Sequence, residues 1–480
     1  MGVGKDIFSG VVWTTIQTVI NRGFGFVIKL FLARILFPED YGLVGMATIF
    51  IAFVRVFNDI GIGAALIQLK KEKLTELHLN TAFWTGIVWS LLVYIIVSLG
   101  VAPFAAWFYN EELLRLFIPI LSIGVLASPI NLVHRVQLTK DLNFKRLALI
   151  NNLSSIFSGV LSLTLAYFGA GVWALVFNTV SAFIIAMPLY FKATGWYPKR
   201  RWSKKCFKEI FGFGVYTTGT QLFNKITGQI DYLLVGKFLG AVSLGQYSFA
   251  FILTDTFRGQ LVEILNKVMY PIYAKMQDDQ SQMNYYYLQV VRINASLVYP
   301  IMMYLLVFAN NLIPFLFGQK WNESIILIQI LTISVIIHML VNSNGTLIRA
   351  AGKPNFELKL EMIKTVVLFV PMIIAGVYFY GVVGVAIGYT IAKLFATILS
   401  LFYTQKLFNL GIPSVLKAIS TPFLASGVPA LLAFICITLT NSFIWSNAIF
   451  IIFLGLNYYS FFKKDLGIIL KFLKGGSKSL

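Results

Sequence analysis

Residues 18–36, TVINRGFGFVIKLFLARIL, decide how the whole chain is read. The segment is apolar enough to lie in hydrocarbon, yet it carries Arg22, Lys29 and Arg34 and no acid. With its helix beginning near Phe8, Arg22 lies about 14 residues in, or ~21 Å at 1.5 Å per residue, near a bilayer midplane. Arg22 and Lys29 are seven residues apart and share one face at 100° per residue, with Gly25 on the same side. A cation at bilayer centre costs ~2.5–3.5 kcal/mol on insertion scales, so such a residue demands an acidic partner or a wet cavity.

Composition agrees that the solvent is lipid. Of 480 residues, 58% are hydrophobic and only 12% charged, with 43 Phe and 22 Tyr. About 25% charge is usual in a soluble domain. The net charge of +20 does not point to nucleic acid, because the cations punctuate apolar runs instead of forming a water-facing patch. The start, MGVGKDIFSGVVWTT, runs on apolar to about Leu36 and reads as a retained first helix, not a cleaved signal peptide. Cys206 and Cys436 suggest neither a disulfide nor a metal site.

Breaks at charge clusters, Pro and Gly divide the chain into fourteen spans of about 20 residues or more. Their cores are 8–34, 41–68, 80–104, 114–138, 146–168, 171–191, 210–238, 245–273, 287–309, 323–348, 358–380, 383–407, 415–440 and 443–462. Connections alternate between basic ones, such as FKATGWYPKRRWSKK and RAAGKPNFELK, and short acidic or neutral ones, such as LFPEDYG and WFYNEELL. Cytoplasmic loops carry the Lys/Arg excess, so both termini are expected in the cytoplasm.

Shifting the sequence by 203 residues lays the first two spans on the seventh and eighth, with 13 identities in the 49 positions from 7 to 55. Asn21 falls on Asn224, Gly42 on Gly245 and Ala47 on Ala250; Arg22 meets Lys225, Arg34 meets Lys237 and Arg55 meets Arg258. Six spans separate the copies, so both enter the membrane in the same direction, a parallel repeat of the kind transporters use. The expected architecture is all-α and polytopic: lobes at 1–192 and 209–410, six helices each, around a central cavity. A basic linker at 193–208 joins them, and 411–480 adds two helices and a basic tail.

Local pairing accounts for some of the cations. Arg55 has Asp59 at i+4, Arg258 has Asp255 at i−3 and Lys267 has Glu263 at i−4. Arg22 has no acid within helical reach, and Lys225 has only Asp231 at a poor spacing. Arg34 and Lys237 sit at helix ends, where long cations snorkel; Lys364 is read the same way, and Lys393 as deeper. His134, beside Arg135, and His338 read as packed or wet histidines before proton relays. Anion binding is therefore expected of Arg22, Lys29, Arg55, Lys225, Arg258 and Lys393. Asp59, Asp231, Asp255 and Glu263 are the candidates for proton or sodium coupling, with salt-bridge structure the stronger reading for all but Asp231. Interior cations call for an anion such as a phosphate or pyrophosphate.

Nucleotide and metal signatures are missing, which leaves no expected cofactor and no ATP-driven step. The glycine pairs of GFGF, GIGAA and GVVGVAIG read as close-packing points. The outer loops offer only the acids Glu39–Asp40, Glu111–Glu112 and Glu323, of which the two pairs read as structural, so the chain is not expected to be an enzyme.

At LARILFPEDYGLVGMATIFIAFVRVFNDIGIGAALIQ, residues 32–68, the chain resembles the polysaccharide transporter (Wzx-type) family of the multidrug/oligosaccharidyl-lipid/polysaccharide flippase superfamily. The P-x-D-Y-G turn and the F-x-D-x-G-x-x-x-A-L-I-Q ending carry the likeness. The resemblance implies a flippase in the bacterial plasma membrane that moves undecaprenyl-pyrophosphate-linked oligosaccharides by alternating access. Its implied partners are the lipid-linked glycan, membrane lipid, and a polysaccharide polymerase or glycosyltransferases, with no nucleic acid. An ion-coupled drug exporter of the same fold is the alternative, and a membrane glycosyltransferase the weaker one.

Overall fold

The computed structural model describes residues 21, 23–58, 62–69, 73–211 and 228–475, and every regular element among them is helical. After α1 (23–35) come α2 (Pro38–Asn58), α3 (Ile62–Gln68), α4 (Glu76–Ile96), α5 (Ala102–Tyr109), α6 (Leu114–Leu121), α7 (Ile123–Lys140), α8 (Phe144–Tyr167), α9 (Val172–Thr194) and α10 (Lys204–Phe211). Then follow α11 (Ile230–Phe251), α12 (Phe257–Lys275), α13 (Gln280–Phe317), α14 (Asn322–His338), α15 (Asn344–Ala350), α16 (Pro354–Ile363), α17 (Val370–Phe408), α18 (Ile412–Thr440) and α19 (Phe443–Gly475). Contacts divide the chain into two compact units, Met1–Ser248 and Phe249–Leu480.

Nine helices among the described residues are long and apolar enough to cross a membrane, against fourteen expected spans. Part of the difference lies in one continuous run, Pro354–Phe408, which contains both the eleventh and twelfth expected spans. The helix breaks at Tyr380 (φ −141°, ψ 21°) and Gly381 (φ 57°, ψ −137°). A methyl on Gly376 would lie 2.2 Å from the Gly384 carbonyl oxygen, and one on Gly388 would lie 2.2 Å from that of Met372. Residues equidistant from position 380 thus meet, so the run is an antiparallel hairpin. Glycines let its two backbones touch, and Gly381 supplies the left-handed turn. Gly240 (φ 80°) makes the corresponding corner inside α11, bringing Gly236 against Leu244. The first and seventh expected cores lie largely outside the described residues.

The expected packing role of glycines holds at GVVGVAIG and at Gly63, which meets Leu132. At GFGF, among the described residues nothing lies within 4 Å of where a side chain on Gly23 or Gly25 would begin. The turn FPEDYG is structural, as expected. Pro38 opens α2, where its missing N–H is no loss, and Asp40 accepts a 2.9 Å hydrogen bond from the Phe37 amide.

The first unit also contains the expected linker, which lies along α4 as a strap. Asn80 accepts from the Lys199 amide at 2.6 Å, Trp84 donates to the Lys199 carbonyl at 2.9 Å, and Thr81 accepts from the Ser203 amide at 3.2 Å. The strap then enters amphipathic α10, which buries Cys206 and sets Ile210 among Leu66, Leu79, Phe83 and Val133. In the second unit, α18 and α19 pack on α13 through Met303, Phe308, Ala430, Ala433 and Phe450.

Candidate functional site

In the first unit, Arg55 near the end of α2 and Arg135 on α7 line one cavity of about 280 Å³. Asn58, Trp89, Ser128 and Phe183 complete much of its wall. The Arg55 guanidinium carbon stands 5.6 Å from the centre of the Phe183 ring, a cation–π contact. Among the described residues no carboxylate lies within ion-pair distance of either arginine. At the wall of this cavity α4 and α7 touch, where Gly86 meets Pro129.

The second unit has an arginine cavity of its own, about 570 Å³, lined by Arg258, Arg349, Glu263, Asn266, Tyr270 and Asn342. Its electrostatics differ. Arg258 forks onto Asp255, with Nε 3.2 Å from one carboxylate oxygen and a terminal nitrogen 3.1 Å from the other, and also donates to Asn342. Arg349 pairs with Glu357. Lys393, on α17, stands 5.4 Å from the Tyr389 ring centre and 5.9 Å from that of Phe369, and interacts electrostatically with Asp255 and Arg258. Lys364 is buried against Glu361 at 2.7 Å, so it does not snorkel. Asp255 and Lys364 both lie in π-helical turns, Ile252–Thr256 and Lys364–Phe369, a distortion common at functional sites.

Several expected site residues stand elsewhere. Lys29 is exposed, and its carbonyl accepts a 2.9 Å bond from the Tyr41 hydroxyl. Asp231 is 5% exposed and accepts a 3.0 Å bond from Tyr247. Lys237 donates to the Phe108 carbonyl and lies over the Phe108 ring at 4.7 Å. His134 is fully buried, 2.7 Å from the Thr194 hydroxyl and packed on Phe191, the packed reading. Arg22, Lys225, Asp59 and the Lys267 side chain fall outside the described residues. Arg349 was not singled out from sequence, because it opens a basic loop and reads as an orientation signal; only the helix α15 brings it beside Arg258.

These long apolar helices, with cation-lined cavities in each unit, make the chain a multi-pass membrane protein. Residues 31–326 match the polysaccharide biosynthesis protein family, and the chain belongs to that family. It is 26% identical over 433 residues to the lipopolysaccharide biosynthesis protein WzxC of Escherichia coli (strain K12), covering 87% of this chain and 86% of the relative. It is 27% identical over 442 residues to the teichuronic acid biosynthesis protein TuaB of Bacillus subtilis (strain 168), covering 90% and 89%. Among solved structures, the lipid II flippase MurJ in an inward closed conformation matches with TM-score 0.70 at 14% identity, over 94% of this chain and all of the other. An inward-facing multidrug resistance MATE transporter of the MOP superfamily matches at 0.64, also at 14% identity, over 85% and 99%. At such identity these two likenesses are likenesses of fold. The family read from residues 32–68 is the family found.

Proposed function

We propose that this protein carries a polyprenyl-pyrophosphate-linked oligosaccharide, the repeat unit of a surface polysaccharide, from the cytoplasmic to the outer leaflet by alternating access. The observation that carries this is the cavity of Arg55 and Arg135, where two guanidinium groups share one space, walled largely by apolar side chains, with no carboxylate beside them among the described residues. A pyrophosphate supplies the missing negative charge, and its oxygens accept charge-assisted bonds in the fork geometry arginine offers. The polyprenyl chain stays in lipid while the glycan travels in the wet interior. No covalent bond changes, so the protein acts as a carrier and not an enzyme. Relatives named for lipopolysaccharide and teichuronic acid biosynthesis support a glycan cargo.

The reading includes fourteen spans in two six-helix lobes with two additional helices, in a bacterial plasma membrane with both termini cytoplasmic. Glycosyltransferases would supply the cargo and a polymerase would consume it. A drug exporter taking cations would need acids unpaired in its cavity; among the described acids Asp231 and Asp255 are held by Tyr247 and Arg258, and Glu263 lines the second cavity beside Arg258 and Arg349.

The test is export of surface polysaccharide in cells whose own copy is deleted. Arg55→Ala, Arg22→Ala and Lys225→Ala should each abolish export while the protein still inserts at normal levels. Full export by Arg55→Ala/Arg135→Ala, or by Arg22→Ala/Lys225→Ala, would refute the reading.

A further inference from the structure

The strap along α4 carries a positive charge that carriage of a lipid-linked glycan does not use. Residues 195–208, GWYPKRRWSKKCFK, hold the cations Lys199, Arg200, Arg201, Lys204, Lys205 and Lys208 and no acid. All of these cations are exposed. Lys199 pairs with Glu76 at 2.8 Å, but among the described residues no carboxylate forms an ion pair with the others. None of them lines the cavity of Arg55 and Arg135.

Hydrogen bonds to α4 fix the depth at which this charge lies. Glu76–Tyr109 is one apolar run of 34 residues, ~51 Å long at 1.5 Å per residue. A hydrocarbon core of ~30 Å leaves ~10 Å of the run among headgroups at each end, or about the first seven residues from Glu76. The strap is bonded to Asn80 and Thr81, inside that layer, and the Trp202 indole donates to the Thr85 hydroxyl at 3.0 Å, where hydrocarbon begins. Thr81, Thr85, Val88, Leu92 and Ile96 share one face of α4 at 100° per residue. Beyond Thr85 that face is bare: Val88, Leu92 and Ile96 are all exposed. The strap therefore covers the head of a stripe that otherwise meets acyl chains. Trp202, 53% exposed, stands at its edge, at the level where amphipathic rings collect in membranes. The next element, α10, buries Cys206 and Ile210 and leaves Lys204, Lys205 and Lys208 outside.

We infer that the strap and α10 form a binding site for the headgroups of anionic phospholipids, with Arg200 and Arg201 on the phosphates and Trp202 at the top of the acyl chains. Guanidinium groups suit phosphate oxygens, and a cluster of this size beside a membrane helix gains about fivefold in association per cation near an anionic surface. A soluble acidic partner would meet the cations from water alone; the position of Trp202 against the bare stripe of α4 favours lipid. The membrane's own charge thus holds the strap down on α4, in addition to the hydrogen bonds to Asn80, Thr81 and Thr85.

The test places the purified full-length protein in bilayer discs, open to protease on both faces, and follows chymotrypsin cleavage after Trp202. Discs of phosphatidylcholine alone are compared with discs holding about 30 mol% phosphatidylglycerol, which should slow the cut about tenfold. Sodium chloride at about 0.5 M should remove most of that protection by screening. Arg200→Gln/Arg201→Gln/Lys204→Gln/Lys205→Gln, which changes exposed side chains outside the cavity, should be cut at one rate in both lipids, the parent's rate in phosphatidylcholine. It should bind undecaprenyl pyrophosphate as the parent does. Equal cleavage of the parent in the two lipids overturns the site without need of any variant, and so does undiminished protection of the fourfold variant. Protection by inorganic phosphate in phosphatidylcholine discs would make this a site for a free anion and overturn the headgroup.

Discussion

Gly42 and Gly245, 203 residues apart, close the same contact from its two sides. A methyl on Gly42 would lie 1.8 Å from the carbonyl oxygen of Ala241, and one on Gly245 would lie 1.7 Å from that of Pro38. The 203-residue shift turns Gly42 into Gly245 and Pro38 into Ala241, so it carries each contact onto the other. A local two-fold axis has this property, since an isologous contact returns to itself when its partners exchange. The repeat in the sequence is thus present in the packing of these two helix starts.

No side chain fits at this crossing, because both obstacles are backbone carbonyls. Gly42→Ala and Gly245→Ala should each destabilise the protein by about 1–3 kcal/mol, the usual cost of overpacking. Melting in detergent reads the loss. Since both methyls enter one contact, the double variant should lose less than the sum of the singles. Gly45→Ala, whose methyl would meet side chains, Leu244 at 3.3 Å and Ser248 at 3.6 Å, should be milder.

Arg55 and Arg258 occupy equivalent places in the repeat but should fail differently. Arg258→Ala strands a nearly buried Asp255 and should cost about 3–5 kcal/mol of stability, much of it recovered by adding Asp255→Ala. Arg55→Ala strands no carboxylate among the described residues; it should melt close to the parent and lose export. Thermal unfolding beside an export assay separates the two outcomes.

The strap on α4 should depend on pH only in the acid range. The Thr75 amide donates to Nδ1 of His78 at 3.3 Å, which leaves the ring proton on Nε2 to donate to Glu209 at 3.0 Å. That bond, chiefly, holds the Glu209 carboxyl below its ordinary range. A depressed carboxylate contributes fully above its unfolded value of about 4.3 and loses the contribution as pH falls through the lowered value. Trypsin cleavage at Lys199, Arg200 and Arg201 should accordingly be slow and even from pH 8 down to about 5. Glu209→Gln should speed it at neutral pH; an unchanged rate would remove the latch.

Asp231 should behave as a structural acid. Tyr247→Phe removes a buried hydrogen bond to a charged group and should cost about 1.5–3 kcal/mol in thermal unfolding. Asp231→Asn should keep both export and its pH dependence, whereas loss of that dependence would make Asp231 the coupling site.

Features set by helix pitch were legible beforehand. The Asp255–Arg258 pair follows from a three-residue spacing, and the close packing at Gly384 and Gly388 from glycines one turn apart. At Gly23 and Gly25 the spacing says that a face is small but not which helix comes to it, and none does among the described residues. The reading from sequence treated Lys364 as a snorkelling cation, although Glu361 was one turn away on the same face.

The amino-acid order alone determined the lipid solvent, the helical class, the repeat and the excess of interior cations. Each is a matter of composition or of spacing along one helix, where geometry is the same in any fold. Which cations share a cavity, and which are neutralised, was decided only by the tertiary structure. Arg55 shares a cavity with Arg135, 80 residues on, and Arg258 with Arg349, 91 residues on, through the approach of helices distant in the sequence. A cavity is the space that packing leaves between such helices, and no local rule of spacing specifies it.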